Sequence, residues 1–180
     1  MKAFKLILVA AAALFFCSAK PAERVVVAYV TSWTDEMPDP DYVTHINYAF
    51  GHVNNTFDGV RIDNPERLAA IAALKKDHPN LIVMLSIGGW GSGRFSEMAA
   101  DPKLRASFCA DCRRVMDEYG LDGIDIDWEY PGNGKGANIS ESPDDVNNFT
   151  KLMKGLRKSL GKKAWLTLAS ADTPRYIDFP

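Results

Sequence analysis

Hydrophobic and polar positions follow two alternating rhythms along the chain. Residues 24–30 (RVVVAYV) form a nearly unbroken β-branched run, the pattern of a strand covered on both faces. Residues 44–53 (THINYAFGHV), 81–87 (LIVMLSI), 124–130 (IDIDWEY) and 164–169 (AWLTLA) read as four further strands. Between them, residues 65–77 (PERLAAIAALKKD) space their apolar positions as an amphipathic helix. Asn64 stands at its N-cap, Pro65 at its first position, and it stops before Pro79. A second helical stretch begins near Arg94, breaks, resumes at Pro102 and runs to Gly120 as its C-cap. A third covers residues 143–160, with Ser142 as N-cap and Gly161 as stop.

Strands alternating with helices predict an α/β fold with a parallel sheet. The candidates are a doubly wound sheet and a (β/α)8 TIM barrel. A dinucleotide fold carries a glycine-rich phosphate loop after its first strand, and here AYVTSW stands there instead. A barrel needs eight strands and typically ~250 residues. Five strands are complete by Ala169 and the sequence closes at Pro180 on RYIDFP. If the fold is a TIM barrel, residues 20–180 are its N-terminal portion, truncated to about the first five strands.

The first residues are of another kind. Lys2 and Lys5 precede an eleven-residue apolar run, residues 6–16 (LILVAAAALFF), and the small pair Ser18-Ala19 follows. This is the pattern of a secretory signal peptide over residues 1–19, and it is short for a membrane span. It predicts a secreted, periplasmic or cell-surface protein. A competing reading makes Cys17 a lipid anchor, although Phe16 before it is a poor fit. No other segment is apolar enough to be transmembrane.

Composition changes the picture little. The chain is 47% hydrophobic and 24% charged, a globular balance. Losing Lys2 and Lys5 with the leader takes the formal charge from −2 to −4, which offers no electrostatic reason to bind nucleic acid. Cys109 and Cys112 (CADC) could form a redox or disulfide pair, but the favoured reading is two half-buried thiols on one helix face. No second CxxC or histidine cluster supports zinc.

The chemistry concentrates in residues 121–132, LDGIDIDWEYPG, which carry Asp122, Asp125, Asp127 and Glu129. Strand side chains alternate faces, so Asp125, Asp127 and Glu129 point one way, and Ile124, Ile126 and Trp128 the other. In a barrel the acids line the interior, with Glu129 nearest the C-terminal face where barrel chemistry is done. Successive members of the row are ~6.6 Å apart along the strand. Like charges that close disfavour joint ionisation, so at least one acid holds a proton near neutral pH, as a general acid must. Asp122 lies at the strand's start in the opposite phase and reads as structural. A calcium loop does not fit, because Trp128 stands where that template needs Asn or Asp and then Gly.

The stretch DGIDIDWE resembles D-x-x-D-x-D-x-E, the signature of family-18 glycoside hydrolases, the chitinases and their relatives. The preceding strand supplies Ser86-Ile87-Gly88-Gly89, similar to that family's S-x-G-G, followed by Trp90. AYVTSW and INYAF also resemble the family's opening strands. The resemblance implies a TIM barrel that hydrolyses β-1,4-linked N-acetylglucosamine polymers, with retention and through an oxazolinium ion formed by the substrate's own acetamido group. It makes Glu129 the acid and later the base, Asp127 the residue that orients the acetamido group, and Asp125 a partner sharing a proton with Asp127. Tyr29 and Ser86 would hydrogen-bond Asp125. Phe50 and Trp90 would meet sugar rings, Gly89 would turn the backbone beneath them, and Tyr130 would line the cleft. The implied partner is an N-acetylglucosamine-containing oligosaccharide or polysaccharide, and no metal or organic cofactor is implied. An endo-β-N-acetylglucosaminidase acting on glycoprotein glycans or peptidoglycan is the alternative, and an inactive sugar-binding remnant is a third. The family's later contacts, a tyrosine after the sixth strand and a tryptophan on the eighth, fall beyond Pro180. The 180-residue chain is thus expected to be a fragment, inactive or unstable by itself.

Overall fold

The computed structural model describes residues 24–170. The leader, with Cys17, and residues 171–180 lie outside them. Five strands run parallel: β1 (Val27–Thr31), β2 (His45–Val53), β4 (Ile82–Gly88), β5 (Gly123–Asp127) and β6 (Trp165–Leu168). A short β3 (Val60–Ile62), which has too few residues to announce itself, pairs antiparallel with the end of β2. The order β1-β2-β4-β5-β6 follows the chain without reversal. A doubly wound sheet reverses its order at a switch point, so this sheet is the arc of a (β/α) barrel.

Helices α1 (Pro65–Ala73), α2 (Phe95–Ala100), α3 (Pro102–Tyr119) and α4 (Asp145–Leu160) connect the strands. Asn64 Oδ1 accepts from Arg67 N at 3.2 Å, capping α1 as expected. Its last residues tighten into a 3₁₀ turn, Leu74–Lys76. Gly120 ends α3 at φ 64°, a left-handed cap that suits glycine. The third helix starts later than its pattern predicts. Pro143 and Asp144 form the preceding turn, and Ser142 Oγ accepts from Asp144 N rather than capping the helix.

The core lies between sheet and helices. Ile46, Tyr48, Val83, Leu85, Ile87, Ile124 and Ile126 project outward from the strands and pack with Leu68, Ile71, Phe108, Val115, Leu152 and Leu156. Fully burying such a side chain stabilises the fold by about 1.5–3 kcal/mol each. Tyr48 is satisfied there because its hydroxyl donates to the carbonyls of Asp63 and Asn64. Period two then sends Asn47, Ser86 and Asp125 to the inner face of the arc.

β5 is shorter than its sequence pattern. It ends at Asp127 because β4, its partner, ends at Gly88, and Gly89 turns the neighbouring backbone away at φ 94°. The last ladder bond runs from Gly89 N to Asp127 O at 3.1 Å. Trp128 nevertheless keeps its outward phase, stacked on Phe95 at 5.3 Å. Glu129 and Tyr130 begin the loop.

Candidate active site

The parallel register builds the site. Ser86, Asp125 and Thr167 are Cα partners on β4, β5 and β6, so three polar side chains stand in one row on the inner face. Asp125, 1% exposed, is saturated with hydroxyls. Its Oδ2 accepts from Ser86 Oγ at 2.8 Å and Tyr29 Oη at 3.0 Å, and its Oδ1 from Thr167 Oγ1 at 2.6 Å. Four polar groups compensate one another where an isolated carboxylate would be costly. Burial is the first reason that the Tyr29 phenol is pushed up to about 12. The Asn47 side chain opposes this, and the charge of Asp125 adds to it. Tyr29 therefore keeps the proton that it donates.

One step along the row, Asp127 lies opposite Gly88. A Cβ on Gly88 would stand 2.1 Å from the Asp127 carbonyl oxygen, so this close approach requires glycine. Asp127 is 6% exposed, and its Oδ1 receives no donor among the described residues. Burial, then the charge of Glu129, then that of Asp125, and a hydrogen bond with Glu129 push its carboxyl up to about 7. Of the two acids that flank Asp127 in the row, Glu129 thus acts on it more strongly than Asp125. Sharing one proton would give this pair of acceptors the donor it lacks. Glu129 sits just past the strand, half-buried at the C-terminal end of the arc.

Aromatic residues surround this end. Phe50 sits where the β2–β4 register shifts between Ala49 and Gly51, beside a cis Ala49–Phe50 peptide. A Cβ on Gly89 would lie 3.0 Å from the Phe50 ring, so Gly89 lets that ring approach the turn. Trp90 is 69% exposed and meets Tyr130 edge-on, ring centroids 5.4 Å apart. Buried Tyr130 accepts from Gly91 N at 2.9 Å and ties the two loops together. Trp33 is also exposed, its ring centroid 6.3 Å from that of Phe50.

Asp122 stands apart from this group. At the N-terminal end of β5 it accepts from Val83 N at 2.8 Å and pairs with Lys75 Nζ at 2.6 Å. Two features of the inner and upper surface have no motif of their own. Thr167 could be found only by applying period two to residues 164–169 and aligning them with Asp125. His52 bridges Asp63 Oδ2 (3.0 Å) and Ser92 Oγ (2.8 Å), joining β2 to the loop after Trp90, a contact between segments 40 residues apart. Burial pushes the His52 imidazole down, against the pull of Asp63, and a neutral ring can donate to Asp63 and accept from Ser92. Cys109 and Cys112 are free, buried thiols on α3. Among the described residues no group of three or more His, Cys, Asp or Glu side chains could hold a metal ion, and no helix is long and apolar enough to cross a membrane.

The row of carboxylates, with aromatic rings beside it, stands at the C-terminal end of parallel strands, where (β/α) barrels do their chemistry. The chain belongs to the glycosyl hydrolases family 18, whose profile matches residues 25–179. It is 32% identical to "Probable chitinase 2" of Drosophila melanogaster over 179 residues, covering 87% of this chain and 36% of that one. Among solved structures, the chitinase domain of the spore coat protein CotE from Clostridium difficile superposes with a TM-score of 0.78 at 33% identity, covering 85% of this chain and 44% of that one. A family-18 N-acetylglucosaminidase from Paenibacillus barengoltzii gives 0.79 at 37% identity, with 87% and 48% covered. The chain therefore spans about a third of the length of that curated relative and under half of each solved chain.

Proposed function

We propose that this chain carries the acid row of an exported hydrolase of β-1,4-linked N-acetylglucosamine, in chitin or chitooligosaccharides. The observation that carries the reading is the Asp127–Glu129 pair, a buried carboxyl held near pH 7 beside a half-buried one at the mouth of the arc. Glu129 gives its proton to the glycosidic oxygen as the C1–O bond breaks. The substrate's acetamido oxygen closes on C1 to form the oxazolinium ion, and Asp127 orients that group and faces the positive charge that develops on it. Glu129 then takes a proton from water, whose oxygen attacks C1 and reopens the ring with net retention. Asp125, Tyr29 and Ser86 hold Asp127's surroundings. Trp90, Phe50 and Tyr130 present apolar surface to sugar rings, and Gly89 gives Phe50 its room. The names of the relatives support the substrate class, and the pattern of residues 1–19 supports export.

The test is an assay of the protein expressed from its complete reading frame, followed past the codon for Pro180, with Glu129→Gln beside it. Wild type should cleave chitooligosaccharides, Glu129→Gln should not, and the first-formed product should be the β-anomer by NMR. Cleavage of high-mannose N-glycans alone would transfer the reading to an endo-β-N-acetylglucosaminidase. Binding without cleavage would leave a sugar-binding remnant.

A further inference from the structure

We infer that Thr167 is a positioning residue of this site: its hydroxyl fixes the free oxygen of Asp125 and so keeps Asp127 available to Glu129. The inference rests on the hydrolase reading above.

Three observations lead to it. Thr167 and Asp125 are Cα partners on adjacent parallel strands, so their side chains are neighbours by register. Tyr29 and Ser86 both donate to Oδ2, which among the described residues leaves Oδ1 held by Thr167, at 2.6 Å. Asp127, the next inward acid, lies between Asp125 and Glu129 in the segment, and its Oδ1 receives no donor among the described residues. A β-branched side chain has few χ1 choices on a strand, so threonine holds its hydroxyl more firmly than serine could.

The consequence is a choice of partner for Asp127. With both oxygens of Asp125 occupied by hydroxyls, a proton on Asp127 has Glu129 as its open acceptor. Without the Thr167 hydroxyl, Oδ1 loses its donor among the described residues and becomes a second acceptor open to the proton on Asp127. The carboxyl of Asp125 then turns about its Cβ–Cγ bond to take that proton, and Asp127 swings away from Glu129. The groups facing Asp125 in this row are Tyr29 from β1, Ser86 from β4, Thr167 from β6, and Asp127 and Glu129 from its own segment. Thr167 itself meets Asp125, not the sugar. Its loss should therefore slow the bond-breaking step and leave substrate binding alone.

The experiment compares wild type, Thr167→Val, Thr167→Ala and Thr167→Ser in the protein expressed from its complete reading frame, with Glu129→Gln as control and chitotetraose as substrate. Thr167→Val keeps the shape and removes the donor, and should lower kcat roughly tenfold, the scale of one hydrogen bond to a charged group. Its KM should stay within about twofold of wild type, because uniform binding is untouched. Thr167→Ser should recover kcat to within about threefold, and Thr167→Ala should match Thr167→Val. Equal kcat for wild type and Thr167→Val, or a serine variant as slow as the alanine one, overturns the role of Thr167. A change confined to KM overturns it too, since that places the residue on the sugar. If Thr167→Val melts before assay temperature, the serine and alanine variants decide. A wild type that cleaves no substrate, or a Glu129→Gln variant as fast as wild type, defeats the hydrolase reading itself and is distinguished by that control.

Discussion

Asp127 lies two residues before Glu129, and the charge of that neighbour, added to burial, raises the Asp127 carboxyl to about 7. An unfolded aspartate titrates near ~4. Between these values the folded chain binds the proton and the unfolded chain does not, so this group makes stability fall as pH rises from ~4 to ~7. Above ~7 both states are ionised and its effect is constant. Asp127→Asn removes the ionisation while keeping the shape. Its melting temperature should equal that of wild type near pH 4, rise above it as pH increases, and stay above it from pH 7 to 8. The gain should be on the order of 1–3 kcal/mol, with hydrolysis lost. A melting difference that does not change with pH would mean that Asp127 is not held protonated by its surroundings.

Asp122 offers a contrast within the same short stretch. It accepts from Val83 N and pairs with Lys75 at the far end of β5 from Glu129. Asp122→Ala leaves the Val83 N–H without its acceptor and Lys75 Nζ with the Gly120 carbonyl but no counter-charge, and should destabilise the fold by roughly 1–3 kcal/mol. The kcat of the folded fraction should be unchanged. Denaturant melts beside kinetics separate the two, and a normal melt with lost kcat would move Asp122 into the catalytic group.

The α3 cysteines give a chemical test. Burial pushes the Cys109 thiol up to about 11 and the Cys112 thiol well up, so both stay protonated and unreactive at neutral pH. Iodoacetamide at pH 7.5 should label neither within an hour on the native protein, and both in urea. Rapid native labelling or loss of free thiol under mild oxidant would restore the redox reading of CADC.

The local parts of this structure were legible from local signals. The strand runs, Asn64 before Pro65 and Gly120 after the long helix are all statements about neighbours in sequence. The inward row of Asp125 and Asp127 followed from period two alone. What escaped depends on which segments end up adjacent. β5 stops at Asp127 because β4 stops at Gly88, and Thr167 reaches Asp125 only through the β5–β6 register. The β3 hairpin is likewise secured by a long-range contact, Asp111 Oδ2 accepting from Val60 N at 2.7 Å. Ser142 shows the reverse error, a good capping residue placed two residues too early because Asp145 Oδ2 accepts its backbone N–H and anchors the loop to the helix start.

Trp90 allows the sugar-platform reading to be separated from packing. It is 69% exposed, and its described ring partner is Tyr130, which is itself held by Gly91 N. A residue so exposed contributes little to folding, so Trp90→Ala should leave the melting temperature within about 2 °C. Losing a flat apolar face from the sugar path should raise KM for chitotetraose about tenfold, the equivalent of one stacked ring, with kcat within about threefold. Trp90→Phe, with a smaller ring, should fall between. The argument turns on the split: a variant that melts early at unchanged KM makes Trp90 a packing residue of the loop, whereas raised KM at an unchanged melt places it on the substrate. Isothermal titration of chitotetraose into Glu129→Gln, with and without Trp90→Ala, then measures the same loss as binding without turnover.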